Sequence, residues 1–196
     1  MISPNFKLFA LLAFFMAIMV TASNFLVQFP VNHLGMENLL TYGAFSYPIT
    51  FFITDLANRR YGKFVARKIV YLGFILGISS TLYFSTNFSE LISIRIVIGS
   101  GTAFLIAQLL DVQIFDKLRK KTWFVAPLTS STFGSLIDTL LFFSIAFYNT
   151  GVSWFTLAAG DFAVKIFIAL IMLIPFRLLL KKVLDVSETS VKPSYT

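Results

Sequence analysis

The sequence predicts an all-α integral membrane protein with six transmembrane helices and both termini cytoplasmic. Three observations predict it. The chain is 57% hydrophobic with a mean hydropathy of +0.83, and only 13% of it is charged, about half the quarter usual in soluble proteins. Six apolar runs recur, each close to the roughly 20 residues that a helix needs to cross a bilayer. Lys and Arg collect in alternate connections, as they do on the inner face of a membrane.

Composition also narrows the function. There is no cysteine, so disulfides, thiolate metal sites and thiol nucleophiles are excluded. His33 is the only histidine, which removes a His-rich metal site and any His dyad inside the membrane. No cofactor and no metal site is expected. The net charge of +7 does not point to nucleic acid, because the charge sits in short loops beside apolar segments and is met by the lipid bilayer. Residues 1–186 are read as a single six-helix transmembrane domain, and 187–196 as a polar cytoplasmic tail.

The first span is Leu8–Phe29, preceded by Lys7. The run is long for the apolar core of a secretory signal, so Val20-Thr21-Ala22 is not taken as a cleavage site. Ala17, Thr21, Asn24 and Gln28 share its late face, either as an interfacial end or as an inward amide pair. Pro30–Asn38, with His33 and Glu37, is an outer loop without Lys or Arg.

The second span, Leu39–Ala57, has Pro48 in its middle, which removes a backbone donor and tends to kink a helix. Tyr47, Thr50 and Thr54 share one face. Asp55 lies near the inner end, where headgroups, Arg59 or Arg60 compete with the interior for it. Arg59, Arg60, Lys63, Arg67 and Lys68 follow and mark a cytoplasmic loop. The third span, Ile69–Phe88, carries Gly73 and Gly77 at the small-xxx-small spacing that lets helix backbones approach. Glu90 lies in the next loop.

The fourth span, Ile92–Val112, carries Arg95 in its outer turn, either snorkelling to the surface or serving as an inward counter-charge. Gly99, Ser100 and Gly101 permit close packing or a break. Gln108 and Asp111 share a face near the inner end. Lys117, Arg119, Lys120 and Lys121 mark the next cytoplasmic connection. The sixth span, Ser153–Phe176, places Asp161 and Lys165 at i and i+4, able to pair on one face. Pro175 and Arg177 mark its end, followed by Lys181, Lys182 and Lys192. Two halves of three spans are then inverted relative to each other, as in many transporters, although no sequence repeat links them.

The fifth span, Phe124–Phe147, is the least uniform. Ser131, Gly134, Ser135 and Asp138 recur at i, i+3, i+4 and i+7 and line one helix face. An ionised carboxylate at the depth of Asp138 costs about 3 kcal/mol on insertion scales, so this face is expected to meet the bundle interior, a cavity or a partner charge. With a rise of about 1.5 Å per residue, Asp138, Asp161 and Lys165 lie near mid-membrane. Asn24 and Arg95 lie further out, and Gln108, Asp111 and Asp55 further in. Such a polar column fits a water-filled substrate path better than a structural bundle. Ser131 has no His or Lys on its helix to activate it, and no Walker-type glycine loop occurs. The chain is therefore not expected to be an enzyme or to hydrolyse ATP.

The runs YPITFFITDLANRRYG, RIVIGSGTAFLIAQLLDVQIF, APLTSSTFGSLIDTLLFFSIAF and GDFAVKIFIALIMLIPF together resemble the queuosine precursor transporter family, over roughly residues 40–180. The matching positions are Pro48, Thr50, Asp55, Arg95, Gln108, Asp111, Ser131, Asp138, Asp161, Lys165 and Pro175. Arg59 departs from the pattern, since many members are expected to be acidic there; as a loop position it touches the assignment little. The resemblance implies a multi-pass protein of the bacterial inner membrane that imports 7-deazaguanines such as 7-cyano-7-deazaguanine for queuosine in transfer RNA. A carboxylate can accept two hydrogen bonds from the N1–H and exocyclic amine of a guanine-like edge, and an amide or Lys can serve O6. The expected substrate-binding residues are Asp138, Asp161, Lys165, Ser131, Gln108, Asp111, Arg95, Asn24, Thr50 and Asp55. A substrate-binding membrane subunit of an ATP-driven uptake system, working with a separate ATPase module, is the alternative. A homodimer is left open.

Overall fold

The computed structural model describes residues 6–32, 36, 40–84 and 91–180, without the side chains of residues 84 and 91–93. His33, Glu37, Glu90, Lys181, Lys182, Lys192 and the tail 187–196 lie outside the described residues, as does the end of the 1–186 domain. The chain runs through α1 (Phe6–Leu26), α2 (Gly43–Ser46), α3 (Pro48–Tyr61), α4 (Lys63–Phe84), α5 (Leu91–Leu118), α6 (Val125–Phe147) and α7 (Trp154–Leu180). Among the described residues, five helices are long and apolar enough to cross a membrane: α1, α4, α5, α6 and α7. The only β-pairing among them is an isolated bridge between Pro30 and Thr41.

The second predicted span is where observation and expectation part. Leu40–Tyr42 pairs back onto Phe29–Val31, through Val31 N–H to Leu40 O at 3.0 Å and Tyr42 N–H to Phe29 O at 3.0 Å. Helix therefore begins at Gly43, not Leu39, and it is divided at Pro48, which cannot donate to the turn before it. The Tyr47 carbonyl at the break accepts both the Thr50 N–H at 3.0 Å and the Thr50 hydroxyl at 2.7 Å. Thr50 thus gives the carbonyl beside the break two donors.

The basic loop expected over Asn58–Lys68 is mostly helical as well. The connection shrinks to Gly62, whose φ of 80° suits glycine and whose N–H closes the end of α3 on Asn58 O at 2.8 Å. Likewise α5 runs on to Leu118, and α7 continues through Pro175 to Leu180. Apolar runs delimit the hydrocarbon region, whereas helix geometry continues into the polar zone, so helices exceed the spans read from hydropathy.

α3 is the hub: every other helix touches it. It is also rich in polar residues that are buried, with Thr50, Thr54, Asp55, Asn58 and Arg59 all inside. Arg59 is thus no loop residue; it is 6% exposed, and its guanidinium donates to Arg119 O at 3.0 Å and lies 5.6 Å from the Phe115 ring centre. Around the hub, α1 packs on α4 and α5 on α6. Gly73 and Gly77 make the first seam: a Cβ at Gly77 would lie 2.7 Å from Val20 Cβ, and one at Gly73 would overlap Met16. In α5 Gly99 and Gly101 cause no break, and the helix is continuous.

Candidate functional site

The face of α6 that carries Ser131, Gly134, Ser135 and Asp138 is buried throughout, but its members serve different neighbourhoods. Gly134 gives way to Phe51 of α3, since a Cβ there would stand 2.6 Å from the ring. Ser131 and Asp138 lie either side of this contact. Seven residues separate them, about 10 Å along the axis at 1.5 Å per residue. Two polar centres result.

The first centre lies towards the end of the bundle away from the basic residues. Lys165 reaches Asp161 at 2.5 Å and Asp138 at 2.7 Å, and it donates to Thr139 Oγ1 at 3.2 Å. Thr139 in turn donates to Asp161 Oδ2 at 2.8 Å. The i, i+4 pair on α7 is therefore a triad with α6. The ammonium also sits 5.0 Å from the Tyr47 ring centre, a favourable cation–π position. Asp138, Asp161 and Lys165 are 2%, 4% and 3% exposed. Burial of this kind is tolerated only when charges are paired and hydrogen-bonded. One atom escapes the charge pairing: Asp138 Oδ1 is buried without a close hydrogen bond, with the Tyr47 hydroxyl, likewise lacking one, beside the carboxylate.

A cleft of about 330 Å³ opens over the triad, lined by Ser23, Asn24, Tyr47, Ser100, Phe142 and the three charged residues, among others. Asn24 is held in its wall from both sides: its amide donates to Thr81 Oγ1 at 3.1 Å and its carbonyl accepts from Ser100 at 2.5 Å. Gln28 is exposed and only donates to Asn24 O, so the two amides do not form an inward pair.

The second centre lies nearer the basic end. Asp55 turns inside, not to headgroups, and accepts from Ser130 at 3.2 Å and from Ser131 at 3.3 Å. Asp111 of α5 lies against Asp55. Gln108, one turn away, spreads its amide across α3: it donates to Thr50 at 2.8 Å and accepts from Thr54 at 2.5 Å.

Of the ten residues expected to bind substrate, the cleft is lined by Asn24, Asp138, Asp161 and Lys165. Thr50, Asp55, Gln108, Asp111 and Ser131 gather in the second centre. Arg95 joins neither: it donates to Ile145 O at 2.9 Å and Tyr148 O at 2.8 Å, and so caps the end of α6 that lies away from the basic residues. Thr139, Ser130, Ser23 and Phe142 went unnoticed in the sequence. Thr139 and Ser130 each adjoin a singled-out residue, and a polar side chain beside a buried acid is a signal; Phe142 is lost among the 24 phenylalanines.

The sequence profile of a family described as "Putative vitamin uptake transporter" matches residues 41–180. An Escherichia coli (strain K12) protein named queuosine precursor transporter is 34% identical over 95% of this chain and 94% of its own length. A Haemophilus influenzae protein named probable queuosine precursor transporter is 37% identical over 84% of this chain and 82% of its own. One from Bacillus subtilis with the same name is 29% identical over 76% and 75%. No solved structure matches. A multi-pass helical bundle with a charged cleft in its interior, aligned almost end to end with the Escherichia coli relative and over most of the Haemophilus influenzae one, makes this chain a membrane transporter of the queuosine precursor transporter family.

Proposed function

We propose that this protein imports a queuosine precursor, 7-cyano-7-deazaguanine or a related 7-deazaguanine, across the bacterial inner membrane, holding it in the cleft above Lys165. The carrying observation is Asp138, which lines the cleft and whose Oδ2 is on Lys165 while its buried Oδ1 meets no cation and has only the Tyr47 hydroxyl beside it. A carboxylate so divided keeps acceptor capacity for the N1–H and exocyclic amine of a guanine-like edge. Phe142 offers a ring for the flat bicycle, and Lys165 offers a donor within reach of O6. The second centre is spent on hydrogen bonds between α3, α5 and α6 and takes no part in holding the ligand.

In this reading the chain crosses the membrane six times, with α2 and α3 together forming the second crossing and both termini in the cytoplasm. The support is the clustering of Arg59, Arg60, Lys63, Lys117 and Arg119 at one end. Reporter fusions at Lys63 and Lys120 should read cytoplasmic and a fusion at Val152 external; a periplasmic reading at either basic connection overturns this topology.

The function is tested with Asp138→Asn in purified protein and in liposomes. The amide turns one acceptor into a donor facing the ligand's own N–H groups. Leaving a buried polar group unpaired costs about 1–3 kcal/mol, which is roughly ten- to a hundredfold in affinity. Wild-type protein alone should take up the precursor, and the variant should insert normally but bind it that much more weakly. Near-normal affinity in the variant sinks direct recognition by Asp138, and failure of wild-type uptake without any ATPase sinks the carrier reading.

A further inference from the structure

The second centre contains a group that the substrate cleft leaves unused. Asp111 is 0% exposed, and neither of its oxygens makes a close hydrogen bond, with only Ser130 and Asp55 beside them. It lies against Asp55, itself 2% exposed, across the contact of α3 with α5. A second cavity, of about 260 Å³, is lined by Asp55 and Ser131 together with Pro48, Phe52 and Phe176. Asp55 thus borders open space, while Asp111 is reached only through it.

The surrounding charges do not neutralise it. On α3, Arg59 turns to Arg119 O and Phe115. On α4, Lys63 pairs with Asp116 of α5 at 3.2 Å, and Arg119 holds the same Asp116 at 3.2 Å. Arg67 and Lys68 of α4 and Tyr61 of α3 lie towards the basic end, and Lys7 is in the first turn of α1. On α6 and α7, Asp138, Asp161 and Lys165 close on one another, with Tyr47 beside them. Among the described residues, no cation is paired with Asp55 or Asp111. Two ionised carboxylates in contact, buried and without a counter-charge, cannot coexist at tolerable cost. A single proton between them removes both the repulsion and one desolvated charge, and it gives an Asp111 oxygen a hydrogen to share.

We infer that Asp55 and Asp111 bind one exchangeable proton between them, and that this proton travels inward with each substrate molecule. The inference rests on the carrier reading above. Its chemistry balances simply: one proton is taken from outside and released inside for each neutral substrate, moving one positive charge. Ser130 and Ser131 hold Asp55 on α6, so the protonation of the pair bears directly on the helix that carries Asp138 ten ångströms away, at about 1.5 Å per residue.

The test uses liposomes with a trapped pH-sensitive dye and 7-cyano-7-deazaguanine as probe. Substrate counterflow, which needs no gradient, is measured first; its absence in wild type overturns the carrier reading and the coupling with it. With counterflow present, addition of substrate outside should acidify the lumen by one proton per molecule. An inward pH gradient should raise accumulation about tenfold per unit, since a pH unit and a decade of concentration carry equal free energy. Asp111→Asn and Asp55→Asn should keep counterflow and lose both acidification and gradient-driven accumulation. Wild-type uptake without acidification overturns the inference whatever the variants do. Accumulation that follows a sodium gradient instead overturns the proton assignment, as does undiminished acidification in both variants.

Discussion

The two buried acidic centres use the same residue type in opposite ways. In the cleft, Asp138 and Asp161 share one ammonium, and Thr139 links that ammonium to Asp161. In the second centre, Asp55 and Asp111 have hydroxyls and each other but no cation. The first pairs its carboxylates with a cation; the second, among the described residues, has none. Burial alone does not decide what a membrane carboxylate does. Its partner decides.

The contrast is broken most severely at Lys165. Lys165→Met leaves two carboxylates buried without a counter-charge, and stability should fall by about 3–5 kcal/mol. Adding Asp161→Asn should recover part of that loss. Thermal unfolding in detergent measures both, and equal midpoints for the single and double variants would refute a charge-paired triad.

A middling effect is expected at Gln108. Its amide bridges the Thr50 and Thr54 hydroxyls, beside the direct bond from Thr54 Oγ1 to Thr50 O at 3.0 Å. Gln108→Leu keeps the bulk and removes one hydrogen bond from each hydroxyl, both of which still donate to backbone carbonyls, at about 0.5–1.5 kcal/mol for each bond lost. Unfolding midpoints should drop while affinity for the precursor stays near wild type, since Gln108 does not line the cleft. An affinity loss as large as that of Asp138→Asn would merge the two centres into one site.

The smallest effect is expected at Asp111. Asparagine has the shape of a protonated aspartate, so Asp111→Asn should change stability by no more than about 0.5–1 kcal/mol. A loss approaching that of Lys165→Met, in the same unfolding assay, would mean that Asp111 is held ionised and that the two centres are alike after all.

The sequence makes half of this visible. Asp161 and Lys165 are legible as a pair because helical periodicity puts i and i+4 together. Asp138 is legible as inward-facing through its small polar neighbours. Periodicity gives direction only, though, and Ser131 and Asp138 share one face while meeting different helices. Asp55 and Asp111 come together across a tertiary contact between α3 and α5 that no local pattern encodes. Arg95 could be read as snorkelling or as a counter-charge; its actual partners are carbonyls of α6, and a helix end offers no side-chain signature to a distant arginine. The helix ends were misjudged for a related reason: hydropathy senses the lipid, and α4, α5 and α7 keep turning beyond it.

Pro48 has a mechanical consequence. Tyr47 lines the cleft and Pro48 lines the second cavity, so the point where the backbone ladder is interrupted is also the partition between the two spaces. A continuous helix bends as an elastic rod, and sharp bends concentrate at proline. The stretch of chain that touches all the other helices is thus a stiff shaft with one compliant joint, set at the depth where a solute would pass from one chamber to the next. Thr50 acts there as the joint's pin, bonded to Tyr47 O on one side and to Gln108 on the other.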